Sequence, residues 1–487
     1  MHFRPISPRS VLILSCGVAV LGAAMPVSHA AEIRTFHSAD GKPLKASFEG
    51  MSGDLIVLKR EDGRVFSLAK DKLSQADQAY VFQIAQRAGD EAQKLNAAAG
   101  HKITNGVRLA ERKAEELAKA LGIRPESTSK YGSSWRLYAA YAKDYRLFGA
   151  MPYSVALYSD QAGLVSSISL VYANKGDFGS TAGMGKDHFK GGTEATAESL
   201  AKAMTQDEEA VAKSLTSVLG EAKVQRYGEG KTRRKVSRWD WNGHSFLLSN
   251  EENEYVSLAV IPTELADAGG KSVMTKDADL KKRLLASIAR SPDGDVLLTD
   301  IPMVDQGPKG YCAPATFERA MRTMGLEADM YLLAMVGQSQ AGGGTSMENL
   351  LEGVRRQVFS KGRRIKEVAA EELRIRDFKR YIDEGIPIMW AMCSADEYNE
   401  AADQFTEKRK KLSDWKAHAA EITAMAAEWA DTPKPESNHH ICLIIGYNEA
   451  TQEIAVSDSW GPRFELRWVP VPVANWANVG GLFMILP

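Results

Sequence analysis

The sequence lacks the features that mark several common protein classes. Its 487 residues include only four cysteines, too few to form a disulfide framework in a chain of this length. Lys and Arg (61) balance Asp and Glu (62), leaving a formal net charge of -1. Without a cationic excess there is no case for nucleic acid or an anionic membrane surface as the main partner. No Cys/His cluster has metal-ligand spacing, and the adjacent His439 and His440 are weak evidence for zinc. No glycine-rich stretch ends in the Gly-Lys-Ser/Thr of a phosphate loop, so the sequence points to no metal and no cofactor. Beyond the N-terminus, no apolar run is long enough for a stable membrane span. The hydrophobic content of 44% and charged content of 25% are those of a folded chain, and the length allows roughly two to four domains.

The single long apolar run begins the chain. Arg4 and Arg9 precede a stretch from Val11 to Met25, and Ser28-His29-Ala30 before Ala31 fits a small-x-small cleavage site. The pattern predicts a signal peptide over residues 1–30 and a mature protein that is secreted or periplasmic. An uncleaved anchor is the competing reading, but the run is short for a span and no basic residues follow it directly. Leu14-Ser15-Cys16-Gly17 has a faint likeness to a lipobox, with Cys16 too early in the run. Cleavage leaves Cys312, Cys393 and Cys442, an odd number with at least one unpaired thiol. Cys393 and Cys442 lie in apolar runs and read as core cysteines, with a bridge between them left open.

Turn signals and periodicity divide the rest. Residues 31–85 read as a small β domain, with turns at Asp40-Gly41, Ser52-Gly53 and Asp62-Gly63 and a helix capped near Ser74. Residues 86–128 read as a polar helical connector, with Glu111, Lys113, Glu115 and Lys119 on a solvated face. Residues 129–265 read as an α+β domain of unknown role: a hairpin across Asp160-Gln161-Ala162-Gly163, a helix ending at Leu219, and a second hairpin at Asn242-Gly243. The glycine pair Gly269-Gly270 marks a linker over 266–284, and the last domain runs from 285 to 487. On this division the front of the chain is accessory, and a fragment from about residue 280 should fold and keep its thiol chemistry.

The chemistry lies in that last domain. Cys312 precedes a predicted helix over 313–324, with Phe317, Ala320, Met321 and Met324 at helical spacing. At a helix start, backbone amides and the helix dipole favour a thiolate. Gln306 stands six residues earlier, where its side-chain amide can stabilise an oxyanion. Downstream, His440 begins the apolar run Ile441 to Tyr447, a buried strand. A return strand through Ile454 to Val456 would bring Asp458 beside His440, to orient the imidazole as base for Cys312. The segment 395–430 reads as a long charged helical insertion ahead of His440.

Two resemblances rest on these residues. Gln306 to Cys312, His440 to Tyr447, and Asp458-Ser459-Trp460-Gly461 resemble the papain-like (clan CA) cysteine peptidases. Cys312-Ala313-Pro314-Ala315 is nearer to the C39-like branch than to papain, which commonly has tryptophan after the nucleophile. The resemblance implies a papain-like cysteine peptidase fold at the C-terminus and a peptide or protein substrate. It also implies a Cys312–His440–Asp458 triad with Gln306 as oxyanion donor, and substrate contacts from Gly342, Gly343, Gly344 and Trp460. Transglutaminases and amidases use related Cys-His-Asp sets, and a non-catalytic envelope or extracellular binding protein with this domain as scaffold is the rival reading. At the other end, Phe36 to Gly41, Val57 to Gly63 and Leu73 to Tyr80 resemble the SHD1 module, which implies an SH3-like small β-barrel and a protein ligand for it. The expected fold class is thus α+β multidomain, with a barrel, a central α+β domain and a peptidase domain.

Overall fold

A computed structural model describes residues 33–487 apart from 53–54, 63, 139–141, 143, 179–195 and 272–273. The predicted signal peptide lies outside the described residues. The first four strands, β1 (Arg34–His37), β2 (Pro43–Ser52), β3 (Leu55–Arg60) and β4 (Val65–Ala69), pair antiparallel in chain order. Period-2 alternation turns Phe36, Ile56 and Leu58 to one side, where they are fully buried. Helix α1 (Gln75–Ala99) covers that side through Val81. Ser74 caps the helix by accepting from the Asp77 amide. Buried Asp77 in turn accepts from Arg34 at 2.8 Å and from the His37 amide at 2.7 Å, tying the helix start to β1. The sheet is an open meander and not the closed SH3-like barrel expected, because a helix, not a further strand, covers its apolar face.

Helix α1 continues into the next unit. Its Ala92, Leu95 and Ala99 join Leu117 and Leu121 of α2 (Ala114–Leu121) in a second core. The stretch 86–128 is therefore part of the central core and not a connector. Glu115 and Lys119 do face solvent, but the opposite stripe is buried. The strands β5 (Arg124–Ser129), β6 (Gly132–Tyr138), β7 (Ser154–Ser159) and β8 (Val165–Asn174) lead to helix α3 (Ala197–Leu219). They are followed by β9 (Lys223–Tyr227), β10 (Arg234–Trp241), β11 (His244–Glu251) and β12 (Tyr255–Pro262). All eight form one antiparallel sheet in the order β5-β6-β7-β8-β12-β11-β10-β9. Asn242 and Gly243, at φ 46° and 77°, make the β10–β11 turn, as the Asn-Gly pair predicts. One face of the sheet packs on α3 through Leu200, Val211 and Leu215.

The segment read as linker holds α4 (Asp277–Ala286), whose Leu280 and Leu284 enter the last core. Then come β13 (Ile288–Arg290), β14 (Asp295–Leu298), α5 (Cys312–Thr323), α6 (Met330–Val336), α7 (Met347–Ser360), β15 (Arg364–Ala369), α8 (Ile375–Asp383) and β16 (Ile388–Cys393). The charged insertion forms α9 (Asp396–Arg409), α10 (Trp415–Ala424) and α11 (Ala426–Asp431). The chain ends with β17 (His439–Asn448), β18 (Glu453–Ser457), β19 (Arg467–Pro470), α12 (Val471–Ala477) and β20 (Asn478–Leu486). The sheet order is β13-β14-β17-β16-β20-β15, with β18 pairing β17 and β19. Strand β17 is buried from His440 onward, as its unbroken apolar run requires. Cys393 and Cys442 are both free. Register explains it: Cys393 faces His439 while Cys442 faces Trp390, three residues apart along the ladder and about 10 Å away.

The central and last domains share buried structure. Tyr138, Val171 and Tyr255 form one apolar cluster with Val304, Tyr311, Met330 and Tyr331. Beside it Lys309 meets Asp177 at 3.3 Å, both side chains fully buried. The ammonium also lies 4.4 Å from the centre of the Tyr138 ring. A cut near residue 280 would expose all of this to water.

Candidate active site

Cys312 is the first residue of α5. The helix forms because Phe317, Ala320 and Met321 give it one fully apolar stripe, and Pro314 fits its first turn. Cys312 is half-buried, whereas Cys393 and Cys442 are buried. Burial alone would raise the thiol pKa. The hydrogen bond and charge of His440, with backbone hydrogen bonds from Ile441 and Ala313, outweigh it and hold the thiol below its ordinary value.

His440 is the second residue of β17. Strand alternation leaves His439 exposed and turns His440 inward. The imidazole Nε2 lies 3.0 Å from Asp458 Oδ1, which leaves Nδ1 as the nitrogen for the thiol. Burial would discharge this ring, but its hydrogen bonds to Asp458 and Cys312 and their charges raise its pKa to about 9. Asp458 directly follows β18, and the pairing of Leu443 with Ser457 brings it level with β17. Its side chain is fully buried. Burial would favour its protonated form, but Arg467 and His440 together hold its pKa below the usual value.

Arg467 was not recognised from the sequence. It lies on β19 opposite Val456 and donates from Nη2 to Asp458 Oδ2 at 2.7 Å. It also donates from Nη1 to Asn399 on α9 at 3.0 Å, so the charged insertion is anchored to the same carboxylate. The only sequence hint was an arginine in an otherwise apolar strand. Buried Arg319 on α5 was missed as well. It donates to Pro302 O at 2.9 Å and to Ser457 O at 3.1 Å, binding α5 to the end of β18. Trp460 stacks on His440 with ring centres 4.5 Å apart and planes at 31°, shielding the ring pair from water on that side.

Gln306 is buried in the loop before α5. Its backbone amide donates to Ser459 O at 2.8 Å, and Nε2 donates to Lys309 O at 2.9 Å. One N–H of that side-chain amide is thus engaged and the second is available. The loop is held from the central domain. The Asp305 amide donates to Glu126 Oε1 at 2.8 Å, the Met303 amide to Ser127 Oγ at 3.0 Å, and the Tyr138 hydroxyl to Asp305 O. Gly307, at φ 69°, lies against the Tyr138 ring, where an added Cβ would come within 2.8 Å. Gly342, Gly343 and Gly344 lie beside the nucleophile loop. Gly310 and Gly343 form a parallel bridge, and the Gly342 amide reaches Lys175 O at 3.3 Å. These glycines allow the close backbone approach, and the Gly344 amide donates to Gly310 O while the Gly310 amide donates to Gly342 O.

The structure thus gathers Cys312, His440, Asp458 and Gln306 around one helix start, with Trp460 and the three glycines next to them. A thiol with a lowered pKa, a base held by a carboxylate and a side-chain amide can together perform acyl transfer. The Peptidase_C39 like family matches residues 298–481, a stretch that includes all four. This part of the chain is similar to that family and is of mixed α+β build. No curated protein matches the chain. No helix among the described residues is long and apolar enough to cross a membrane.

Proposed function

We propose that the chain is an exported cysteine peptidase that cleaves peptide bonds with Cys312 as nucleophile, His440 as acid and base, Asp458 as orienter and Gln306 as oxyanion donor. The observation that carries this reading is His440 set between Cys312 at a helix N-terminus, whose thiol pKa it lowers, and Asp458 Oδ1, 3.0 Å from Nε2. The Cys312 thiolate attacks the scissile carbonyl, and the oxygen takes the negative charge between the free Gln306 N–H and the Cys312 amide. His440 then gives its proton to the leaving amine, the C–N bond breaks, and an acyl-thioester remains. Water, deprotonated by His440, attacks the thioester and releases the acid product and the thiolate. Gly342 to Gly344 border the acyl side. The N-terminal meander, by its likeness to SHD1 modules, serves as a binding module for a protein ligand.

A peptide-based electrophile tests this. Mass spectrometry should find it on Cys312 and not on Cys393 or Cys442, and labelling should depend on His440. Labelling of Cys312 no faster than that of a free thiol would favour the scaffold reading.

The pH dependence follows from the two shifts. The thiol pKa is lowered, so alkylation of Cys312 by iodoacetamide should already be fast below pH 8.5, the ordinary thiol value. The imidazole keeps its proton up to about 9. Peptide turnover should therefore fall as pH rises through 9, because the leaving amine loses its proton donor, while alkylation stays fast. Parallel decline of both rates would contradict the assignment of His440.

Export is proposed from Arg4, Arg9, the apolar run and Ser28-His29-Ala30. Protein recovered from its native host should begin at Ala31 by mass spectrometry. An intact Met1 or a lipid on Cys16 would exclude it.

A further inference from the structure

The central sheet has a second face, turned toward the last domain, and its side chains there are small. Register places Ser134 beside Tyr158, Tyr158 beside Ser167, Ser169 beside Ala259, and Val171 beside Ser257 on that one face. The far end of α5, with Arg322 and Thr323, and Arg283 of α4 lie opposite. Serine and alanine cannot fill the gap, and a cavity of about 500 Å³ remains between the two domains. That is the size of a small-molecule site, and domain interfaces are where such sites occur. The cavity is separate from the cysteine site. None of Gln306, Cys312, His440 or Asp458 lines it, and it meets the opposite end of α5, about 15 Å along the helix from Cys312.

Buried polar groups with no protein partner distinguish this cavity from a packing void. The Tyr255 hydroxyl lines it on a side chain only 3% exposed, and Arg234 Nε is buried there too; neither has a hydrogen-bond partner. Leaving such groups unpaired is costly, so they call for a ligand. The charge balance gives its class. Arg283 donates to the Thr323 carbonyl, and no carboxylate contributes to its electrostatic surroundings. Arg234 donates to the Thr232 carbonyl and lies over the Tyr227 ring, with Glu251 the carboxylate that feels its charge. Two acids of the lining have partners, although Asp300 Oδ2 accepts no hydrogen bond. Asp329 caps α6 through the Tyr331 and Leu332 amides, and Asp300 pairs with Lys130 at 3.2 Å. Burial raises the pKa of the Glu327 carboxyl, while the charges of Lys361 and Arg322 oppose the shift. Arg234 and Arg283 have no ion-pair partner among the described residues, and with a row of hydroxyls they face the same space as Asp300 and Glu327.

We propose that this interdomain cavity is a second binding site, for a small carboxylate-bearing molecule held by Arg234 and Arg283 with the Tyr255 hydroxyl as a further donor. The carboxylate could belong to a free dicarboxylic acid or to the C-terminus of a short peptide. The proposal does not depend on the peptidase reading, since it is tested by binding alone.

The test uses the full chain carrying Cys312→Ser, so that no peptide is turned over. Succinate, trialanine acid and trialanine amide are titrated by calorimetry, with thermal unfolding in parallel. At least one of the two acids should bind saturably and raise Tm, whichever is tighter naming the source, and the amide should bind about tenfold more weakly or worse. Arg234→Gln should weaken the acid by about tenfold or more. Tyr255→Phe removes only the unpartnered hydroxyl, leaves the fold intact and should weaken it severalfold, which keeps the test decisive if Arg234→Gln unfolds. No binding of either acid at millimolar concentration overturns the proposal. So does equal binding of acid and amide, or affinity unchanged by Tyr255→Phe and by a folded Arg234→Gln.

Discussion

Cys312→Ser is expected to remove nearly all turnover, because an alcohol is far less ionised than a thiol at neutral pH. His440→Ala should do nearly the same. Gln306→Ala should cost about 2.7–4 kcal/mol of transition-state stabilisation on the proposed role of that amide as an oxyanion donor. His439→Ala is the control, because that ring is exposed. Asp458→Asn is the most informative change. As a nearly isosteric change it would be expected to be the mildest of the series. The structure reverses that expectation. Two donors converge on Asp458, Arg467 on Oδ2 and His440 on Oδ1, and an asparagine offers only one oxygen. Its amide must then face a second donor in a fully buried site. The cost should approach the roughly 3–5 kcal/mol of a broken buried ion pair. Adding Arg467→Leu to Asp458→Asn removes the surplus donor and should restore much of kcat/KM. If the single variant is as active as wild type, Asp458 is not held as described; if His439→Ala is inactive and His440→Ala active, the base is misassigned.

The second large effect concerns the join between the domains. Asp177→Ala is expected to destabilise the protein by about 3–5 kcal/mol, because it leaves Lys309 charged and unpaired in a fully buried site. Total stabilities of about 5–15 kcal/mol make that a severe loss. The double change Asp177→Ala with Lys309→Met should recover much of it, since no charge is then buried. Denaturant midpoints on the full chain measure both. Activity should fall with the single variant even under conditions where it stays folded, because Lys309 O holds the Gln306 amide. A fragment starting near residue 280 should fail to fold, having lost Tyr138, Val171 and Tyr255 from the shared cluster. A folded fragment with the alkylation rate of the full chain would show that the central domain plays no part in the site.

The helix after Cys312, the inward phase of His440 and the buried run of β17 were legible because each is a local pattern. A helical stripe, a two-residue alternation and an unbroken apolar stretch are all written within a dozen residues. The Asn242-Gly243 turn was legible for the same reason. The stretch 86–128 was misread because its charges dominate, although Leu117 and Leu121 lie at helical spacing on the buried side.

The sequence by itself determined where the helix that opens at Cys312 and the strand that carries His440 begin, and that His440 rather than His439 turns inward. It determined these because backbone periodicity and capping act between near neighbours. Only the tertiary structure decided that Asp458 is held by Arg467, that Arg319 ties α5 to β18, and that Glu126, Tyr138 and Asp177 brace the loop of Gln306. Lys309 and Asp177 are 132 residues apart in the chain. Neither carries a local mark of the other, because a buried ion pair is selected by the space and dielectric that two folded domains enclose between them, and that space does not exist until they meet.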